Sequence, residues 1–506
     1  MKKILFFMFV VLCTGCGKDE PVLIINLSAE SLNFPSSGGE QSFTLESNAI
    51  RMLIDCDATW LSYAWEYKSS RIVDVTVTVS ANTNIAQRTA TITFSTNEEN
   101  KRFVKVTQDG STSIFGNGIV AAQAYGGGDG TQHSPYLISD AQQLKRLVDI
   151  VNFNHLNYAN NYFKLMTDIE VTANEWIPIG SFRGRFDGNG YTIKGTLKSE
   201  NYGSFGFFGA LNGGARISNL TIAATVSNES AGSSSTGAIA GTCSGFQSDS
   251  VIISNCHITG RINGGISSTS YPVTGGITGR TSITAIRNCD ISNHINGRGN
   301  GETGGIAASS LASEITNCKT LASASVSGNY NVGGIVGFLD WDTKINDCAN
   351  DAVITCGLDS YNVGGIAGIN RGGLISNCTN NASISCEFLG NTGGITGSNG
   401  DIIGSNQQNA IIVNCTNYGD ISNFFDYLSS TGGITGMNRG VIHTSLNTGT
   451  ITGISGYYRS NIGGIAGEND GQIYACCTNI GSHPDIGYPL DWWGLDPCPD
   501  GHAQRE

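Results

Sequence analysis

Charged residues are scarce in this sequence. Only 14% of its 506 residues are Asp, Glu, Lys or Arg, and 41 acidic residues outnumber 28 basic ones, for a net charge of −13. Proteins that bind nucleic acid need clustered Lys and Arg to displace the counterions of the phosphates, and no such cluster occurs. We therefore expect no nucleic-acid partner.

An apolar run long enough to remain in a membrane is also missing. Residues 4–12 are apolar and follow two lysines, and this short run is typical of an export signal rather than of a membrane span. The run ends at Cys13-Thr14-Gly15-Cys16, which resembles a bacterial lipoprotein cleavage box, with Cys13 where Leu is usual. The resemblance implies that Cys16 carries a lipid. A general secretory signal with an incidental cysteine is the alternative.

The next residues bear on location. Lys18-Asp19-Glu20 resembles the acidic tag that directs some Gram-negative lipoproteins to the outer face of the outer membrane. The resemblance implies a surface-exposed protein in the outer membrane, which contacts the membrane only through its N-terminal lipid. Residues 1–20 are then signal and tether.

Spacings typical of metal and catalytic sites are absent as well. No Cys/His cluster has zinc-ligand spacing, and the seven histidines are scattered. The densest acidic group is Asp340, Asp342 and Asp347, and it lacks the spacing of a paired acid and base. We interpret these residues as solvated loop charges and expect no metal, no cofactor and no catalytic residue.

Glycine, by contrast, is abundant, and much of it lies in a repeat. The clearest copy is Gly364-Gly365-Ile366-Ala367-Gly368, followed by Ile375-Ser376-Asn377-Cys378. Similar glycine blocks begin at Gly237, Gly275, Gly304, Gly333, Gly393, Gly432 and Gly463. The second segment ends at Cys256, Cys289, Cys318, Cys348, Cys378 and Cys415, with Ser445 and Cys476 in the last two copies. A step of about 30 residues predicts a solenoid.

These copies resemble the GLUG motif, which implies a right-handed parallel β-helix over residues 201–480. Each copy has two or three aliphatic residues, such as Ile366, Ile375 and Ile384. Burying each contributes roughly 1.5–3 kcal/mol, too little for one copy to fold alone. Stacking is therefore obligatory, with Gly-Gly steps at tight corners and Asn before Cys forming an amide ladder. A β-propeller is the alternative, although its blades need around 40 residues.

Cysteine is frequent for an exported protein, with 15 residues that mostly recur at the repeat period. Stacked coils would place them about 4.8 Å apart, with parallel side chains that suit a disulfide torsion poorly. We interpret most of them as small buried apolar residues. Cys356 and Cys386 occupy equivalent places in neighbouring repeats and are the best candidates for a disulfide.

Residues 21–110 alternate apolar and polar side chains, which predicts a small antiparallel β-sandwich. The segments Leu32-Asn33-Phe34, Ser37-Gly38-Gly39 and Val104-Lys105-Val106-Thr107-Gln108 resemble the BACON family. The resemblance implies an Ig-like fold and a carbohydrate-binding role, although some members serve as spacers. The candidate sugar-stacking residues are Trp60, Tyr63, Trp65 and Tyr67. Packing of Trp60 in the core, with the others lining a loop, is the alternative.

The remaining segments set the boundaries. Residues 111–130 have the composition of a linker. Residues 131–200 resemble the leader of many GLUG-type β-helices, and we expect them to cap the first coil with a helix that has Ser139 as N-cap. Residues 481–506 are expected to cap the last coil. The predicted fold is thus all-β: an N-terminal Ig-like β-sandwich followed by a right-handed parallel β-helix with a helical N-terminal cap.

Aromatic residues precede most of the Gly-Gly steps by three to five residues. They are Tyr271, Tyr330, Tyr361, Phe388, Tyr427 and Tyr458. In stacked coils they would form a stripe with one ring per coil, about 4.8 Å apart, broken at the Gly304 copy, which lacks an aromatic residue. Such a stripe could hold successive sugars or an extended peptide. A structural ladder that staples the corners is the alternative.

Together these patterns predict a cell-surface lipoprotein that acts as a non-catalytic adhesin or glycan-binding protein. Its expected partners are glycans or host surface proteins, and we expect a monomer. A β-helix lyase or hydrolase acting on polysaccharide, or a passive surface spacer, are the alternatives.

Overall fold

The computed structural model divides into two compact units, residues 1–114 and 115–506. It describes residues 3–6, 23–35, 38–80, 82, 87–97, 100–109, 121–153, 160–172, 176–267, 269–357, 360–386, 390–400, 410–424, 429–453, 461–474, 476–482 and 495–496.

The first unit consists of two β-sheets around a shared core. The first sheet has the strand order Lys3–Phe6, Arg51–Cys56, Arg88–Ser95, Lys101–Gln108, Ser31–Phe34. The second has the order Ile25–Leu27, Gly39–Ser47, Ile72–Val79, Leu61–Tyr67. Alternate side chains, such as Val73, Val75 and Val77, are fully buried between the sheets. The predicted period of two is confirmed, and the Ig-like classification stays a prediction.

The second unit is a β-solenoid built from four parallel sheets. We number them 1 to 4 in the order in which each coil visits them. Sheet 1 contains Ser204–Phe205, Ser235–Thr236, Val273–Gly275, Thr303–Gly304, Asn331–Gly333, Asn362–Gly364, Asn391–Gly393, Ser430–Gly432 and Asn461–Gly463. Sheet 2 contains Ile179–Phe182, Phe208–Asn212, Ala240–Ser244, Thr278–Ser282, Ala307–Leu311, Val336–Leu339, Ala367–Asn370, Thr396–Asn399, Thr435–Asn438 and Ala466–Asn469.

The other two sheets are longer. Sheet 3 contains Tyr136–Ile138, Tyr162–Leu165, Arg185–Asp187, Arg216–Ser218, Val251–Ser254, Thr284–Arg287, Glu314–Thr316, Lys344–Asn346, Leu374–Ser376, Ile411–Val413, Val441–His443, Gln472–Tyr474 and Leu495–Asp496. Sheet 4 contains Ile169–Thr172, Thr192–Ser199, Thr221–Asn228, His257–Asn263, Asp290–Ile291, His294–Asn296, Lys319–Thr320, Ser325–Gly328, Ala349–Asn350, Val353–Cys356, Thr379–Asn380, Ile384–Cys386, Thr416–Asn417, Ile421–Asn423, Leu446–Asn447, Ile451–Gly453 and Thr478–Asn479.

The pairing between coils is parallel and in register. Val332 pairs with Val363 in sheet 1, and Ile345 pairs with Ile375 in sheet 3. Propeller blades are built from antiparallel strands, so this pairing excludes the β-propeller. The right hand of the solenoid stays a prediction.

The segment expected to lead into the solenoid and cap it supplies the first strands of the solenoid, and the helical cap stays a prediction. Its strands Tyr162–Leu165, Ile169–Thr172 and Ile179–Phe182 already belong to sheets 3, 4 and 2. They do so because residues 163–208 supply large inward side chains that fill the first coils. Those fully buried are Phe163, Trp176, Phe182, Phe186, Phe205, Phe207 and Phe208. Later coils are filled mainly by Ile, Val and Cys.

One helix, Ala141–Phe153, occurs in the described part of the chain. Its N-cap is Asp140 rather than Ser139, because the Asp140 carboxylate accepts a hydrogen bond of 2.8 Å from the Gln143 amide. The Ser139 amide instead donates to the Gln143 side chain at 2.7 Å. No described helix is long and apolar enough to cross a membrane.

The described part of the predicted linker packs on the second unit. The Ala122 amide donates to the Gln142 carbonyl at 3.0 Å, and the Tyr125 and Tyr136 rings stack at 4.6 Å. Residues 121–130 therefore belong to the start of the solenoid.

An asparagine turns the chain between sheets 3 and 4. Asn255, Asn288, Asn317, Asn377 and Asn414 have φ between 53° and 55°. This left-handed conformation is tolerated best by Gly, Asn and Asp. The exposed amides bond from coil to coil, as in Asn317 Nδ2 to Asn288 Oδ1 at 2.8 Å. The predicted ladder is confirmed, and Asp347 takes the asparagine position in one coil.

A second, buried amide ladder runs through the last five coils, two residues after Cys348, Cys378, Cys415, Ser445 and Cys477. Asn350, Asn380, Asn417, Asn447 and Asn479 bond in sequence at 2.7–2.8 Å. Each also donates to a carbonyl two residues ahead, at 2.8–3.2 Å. This ladder fixes the register of the last copy, in which Asn447 pairs with Asn479. Cys477, not Cys476, therefore corresponds to Ser445.

Cys356 and Cys386 form a disulfide between neighbouring coils, with Cα atoms 5.8 Å apart. The repeat cysteines Cys256, Cys289, Cys318, Cys348, Cys378 and Cys415 are free and buried. Their side chains fill the interior beside the sheet 3 to sheet 4 corner.

We expect loss of this disulfide to destabilise the solenoid. The bond closes a loop with a sequence separation of 30, which corresponds to about 3–4 kcal/mol of unfolding free energy in the chain-entropy model. Urea unfolding with and without reductant measures this difference. The Cys356→Ala/Cys386→Ala variant is the control, because it should be insensitive to reductant. An unchanged midpoint of the natural chain in reductant would contradict the prediction.

Candidate functional site

Three tyrosines form a continuous surface where each coil passes from sheet 4 to sheet 1. We call Tyr271, Tyr330 and Tyr361 the tyrosine rim. The Tyr330 and Tyr361 ring centroids lie 6.0 Å apart with planes 19° from parallel. The Tyr271 and Tyr330 centroids are 6.4 Å apart with planes at 61°. The three rings therefore touch in one row.

The stacking of the coils sets this geometry. Tyr330 and Tyr361 each stand two residues before a buried valine of sheet 1, and these valines pair in register. The Tyr361 amide also donates to the Tyr330 carbonyl at 2.8 Å. Parallel backbones carry their side chains in the same direction, so the two rings stack.

The predicted break at the Gly304 copy does not occur. That coil presents Gly301 at the rim, where an added Cβ would lie 1.9 Å from the Pro272 carbonyl oxygen. Since nothing projects from Gly301, the rings of Tyr271 and Tyr330 meet across it. An aromatic residue on every coil is therefore not required for a continuous row.

The rim remains open to solvent. Tyr271 is 61% exposed and Tyr361 48% exposed, whereas Tyr330, between them, is half-buried. Burial raises the pKa of the Tyr330 hydroxyl, with smaller contributions from Tyr361, Glu302 and Tyr271. The row thus offers aromatic area and hydroxyl groups together.

Glu302 is a member of this region that the sequence reasoning missed. It lies in the coil between Tyr271 and Tyr330, and burial raises the pKa of its carboxyl, partly opposed by Arg280. A carboxyl group beside aromatic rings can hydrogen-bond to ligand hydroxyls. The signal for it in the sequence is weak, because the residue is a single Glu between two glycine-rich steps.

Buried amides support the rim from behind. Asn331 and Asn362 directly follow Tyr330 and Tyr361, and Asn391 continues the ladder in the next coil; the side chains bond from coil to coil at 2.9 and 3.0 Å. This ladder fixes the first strand residue of three successive coils and so positions Tyr330 and Tyr361, which lie just before it.

Some predicted site residues cannot be placed. Phe388, Tyr427, Tyr458 and the lipidation candidate Cys16 lie outside the described residues. Their roles stay predictions.

The aromatic residues of the first unit do not form one exposed surface. Tyr63 is buried and its hydroxyl donates to the Ile54 carbonyl at 3.1 Å. Trp60 and Trp65 pack against the core, and the Arg88 guanidinium lies 4.4 Å from the Trp60 ring centroid. Among the four, Tyr67 is exposed, at 46%.

The acidic residues of the repeats lie away from the rim and on two different corners, Asp340 and Asp342 between sheets 2 and 3 and Asp347 between sheets 3 and 4. Asp340 accepts a hydrogen bond from the Trp341 amide at 2.9 Å, and Asp347 accepts one from the Asn346 side chain. Within the described residues, no group of three or more His, Cys, Asp or Glu is placed to hold a metal ion.

Comparison with known families places two modules in the chain. Residues 53–109 match the BACON family, described as "Putative binding domain, N-terminal". Residues 359–385 match the GLUG motif. Both resemblances noted in the sequence are thereby confirmed, over a part of the chain.

Similar proteins match over short stretches. A "Putative Gly-rich membrane protein" of Evansella cellulosilytica is 32% identical over 116 residues, which are 21% of this chain and 13% of that protein. "Halomucin" of Haloquadratum walsbyi is 32% identical over 136 residues, 25% of this chain and 1% of its own length. The chain thus spans a small fraction of these relatives. A Bacteroides ovatus GH5 xyloglucanase structure with a bound heptasaccharide is 23% identical over 22% of each chain, with a TM-score of 0.15.

Proposed function

We propose that this protein is a non-catalytic, lipid-anchored surface protein that binds carbohydrate along the tyrosine rim. The observation that carries the proposal is the continuous row of three tyrosine rings. Tyr330 and Tyr361 lie on neighbouring coils, and Tyr271 lies two coils before Tyr330. The BACON match supports a binding role in general. Anchoring through Cys16 at the outer membrane, and an Ig-like first unit, are parts of the same proposal.

The chemistry of the rim suits a sugar chain. The C–H face of a pyranose packs on an aromatic face, while its hydroxyls need polar partners at the edge. Tyr330 and Tyr361 supply the faces, and Glu302 and the tyrosine hydroxyls supply the polar groups. Because the row follows the solenoid axis, it fits an extended chain better than a compact ligand.

The rigid backbone favours binding over catalysis. The rim is held by parallel pairing and by amide ladders, so little conformational entropy is lost when a ligand docks. Its polar groups do not form the pair of carboxylates flanking a bond that most glycoside hydrolases use. We therefore propose retention of polysaccharide rather than its cleavage.

Removing two rings tests the proposal. In the full chain, Tyr330→Ala/Tyr361→Ala is expected to weaken oligosaccharide binding by at least about tenfold, because each stacked ring contributes about 0.5–1.5 kcal/mol beyond its buried area. A glycan array identifies the ligand, and calorimetry measures its affinity. The thermal midpoint of the variant should stay close to that of the natural chain.

Tyr418→Ala is the matched control, because Tyr418 is a 54% exposed tyrosine elsewhere on the solenoid. It should leave binding unchanged. An equal loss of oligosaccharide affinity in Tyr418→Ala and in the double variant would contradict a site at the rim. A large drop in the thermal midpoint of the double variant would show that the rings are structural. Turnover of the polysaccharide by the natural chain would instead favour an enzyme, and absence of any glycan ligand would favour a spacer.

A further inference from the structure

A cationic cleft lies at the start of sheet 3, on a different face from the tyrosine rim. It has a volume of about 660 Å³ and is open to solvent. Its lining includes Tyr162, Lys164, Arg185, Asp187 and Arg216. All of them are among the described residues.

Strand register brings the basic residues together. Tyr162, Arg185 and Arg216 are direct partners on three neighbouring parallel strands. Lys164 and Asp187 form the next outward row. Neighbouring strands lie about 4.8 Å apart, so two guanidinium groups and an ammonium group project from one small area of sheet.

This arrangement has an energetic cost in the free protein. Like charges directly opposite each other on neighbouring strands destabilise a sheet, and Arg185 and Arg216 are such partners. The chain carries a net charge of −13 with few charged residues overall. Three of the few basic residues of the chain, Lys164, Arg185 and Arg216, thus converge on one cleft.

The carboxylate that lines the cleft, Asp187, has partners of its own. Asp187 accepts hydrogen bonds of 2.9 Å from the Asn219 side chain and from the Asn189 amide. Its other oxygen lies 3.7 Å from Lys164 Nζ. Asp187 thus contacts Asn189 and Asn219 through one oxygen and Lys164 through the other.

An aromatic ring lies beside the charges. The Arg185 guanidinium is 5.2 Å from the Tyr162 ring centroid, which holds this side chain against the sheet. Arg216 is exposed next to it. A planar guanidinium can bind a carboxylate or sulfate through two parallel hydrogen bonds, and the ring can pack on the apolar face of a sugar.

We propose that this cleft binds an acidic sugar of a polysaccharide, a ring that bears a carboxylate or a sulfate. Arg185 and Arg216 hold the anionic group, and Tyr162 packs against the ring. The site is independent of the rim, since it shares no residue with it.

Calorimetry on the full chain tests the cleft with three probes: an oligogalacturonate, a sulfated oligosaccharide and a neutral oligosaccharide of equal length. We expect binding of one or both acidic probes and much weaker binding of the neutral one. Arg216→Gln should lower the affinity for the acidic probe by about tenfold, because one charge-assisted pair of hydrogen bonds is lost. Arg216→Lys should lower the affinity less, because lysine keeps the positive charge although it lacks the planar guanidinium group.

Arg287→Gln is the matched control, because Arg287 lies on the same sheet and is paired with Glu314 at 2.6 Å. It should leave the affinity unchanged. The proposal is overturned if neither acidic probe binds, if Arg216→Gln binds as the natural chain does, or if a DNA oligomer of equal charge binds as tightly. Tyr330→Ala/Tyr361→Ala should retain the arginine-dependent binding, so failure of the rim and failure of the cleft give different results.

Discussion

Replacing Gly365 with alanine is expected to lower the free energy of unfolding by about 3 kcal/mol or more. An added Cβ would lie 2.1 Å from the Gly394 carbonyl oxygen and 2.3 Å from Asn380 Cγ. Overpacking of a rigid core costs about 1–3 kcal/mol and occasionally more. Here the obstacles are the backbone of the next coil and a hydrogen-bonded amide, neither of which can move aside without breaking the stack.

Urea unfolding of the full chain measures the effect, and amide hydrogen exchange locates it. We expect faster exchange in the coils beside Gly365, since each coil of a solenoid depends on its neighbours. Gly232→Ala is the control, because the nearest atom to its added Cβ is 3.9 Å away. Equal unfolding midpoints for the two variants would refute the close-approach explanation of the Gly-Gly step.

Replacing Asn380 with alanine is expected to cost about 3 kcal/mol. The Asn380 amide donates to the Asn417 side chain at 2.8 Å and to the Ala382 carbonyl at 2.9 Å, and it accepts from Asn350. The substitution leaves the first two acceptors buried without this donor, and each unsatisfied group costs about 1–3 kcal/mol.

The neighbouring residue supplies the comparison. Asn381 is exposed and donates to Asp351, so Asn381→Ala should change the unfolding free energy by less than about 0.5 kcal/mol. Chemical denaturation of both variants measures the difference. A similar small effect at Asn380 would mean that water or rearrangement replaces the ladder.

Gly365 and Asn380 show how two parts of each repeat, the Gly-Gly step and the buried asparagine, depend on each other. The second glycine of the step faces the buried asparagine of the same coil, as Gly334 faces Asn350 and Gly433 faces Asn447, with an added Cβ 2.4 Å from the amide carbon in both cases. The glycine leaves the space that the ladder occupies. Effects at Gly365 and Asn380 should therefore not be additive.

The sequence predicted the solenoid, because a period of about 30 residues with so few aliphatics per copy can bury a core only by stacking. It also predicted an amide ladder, since Asn recurs before Cys in the copies; the positive φ of these residues came from the structure. Contacts between equivalent residues of neighbouring coils can therefore be predicted from the motif and its spacing.

Other features depended on contacts that the spacing does not contain. The leader forms coils because its aromatic residues fill their interior. These coils lack the repeat motif, so the repeat period alone does not predict them. The acidic neighbour of the rim, Glu302, and the pairing of Arg185 with Arg216 arise from strand register, which relates residues about one coil apart.

The rim shows the same division. The sequence by itself determined that Tyr330 and Tyr361 recur before a Gly-Gly step and therefore stack. Only the tertiary structure decided that Tyr271 reaches Tyr330 across Gly301, and that Tyr63 turns into a core. The physical reason is that the repeat period fixes where backbones lie, whereas packing against neighbouring coils and sheets fixes where side chains point and whether solvent reaches them.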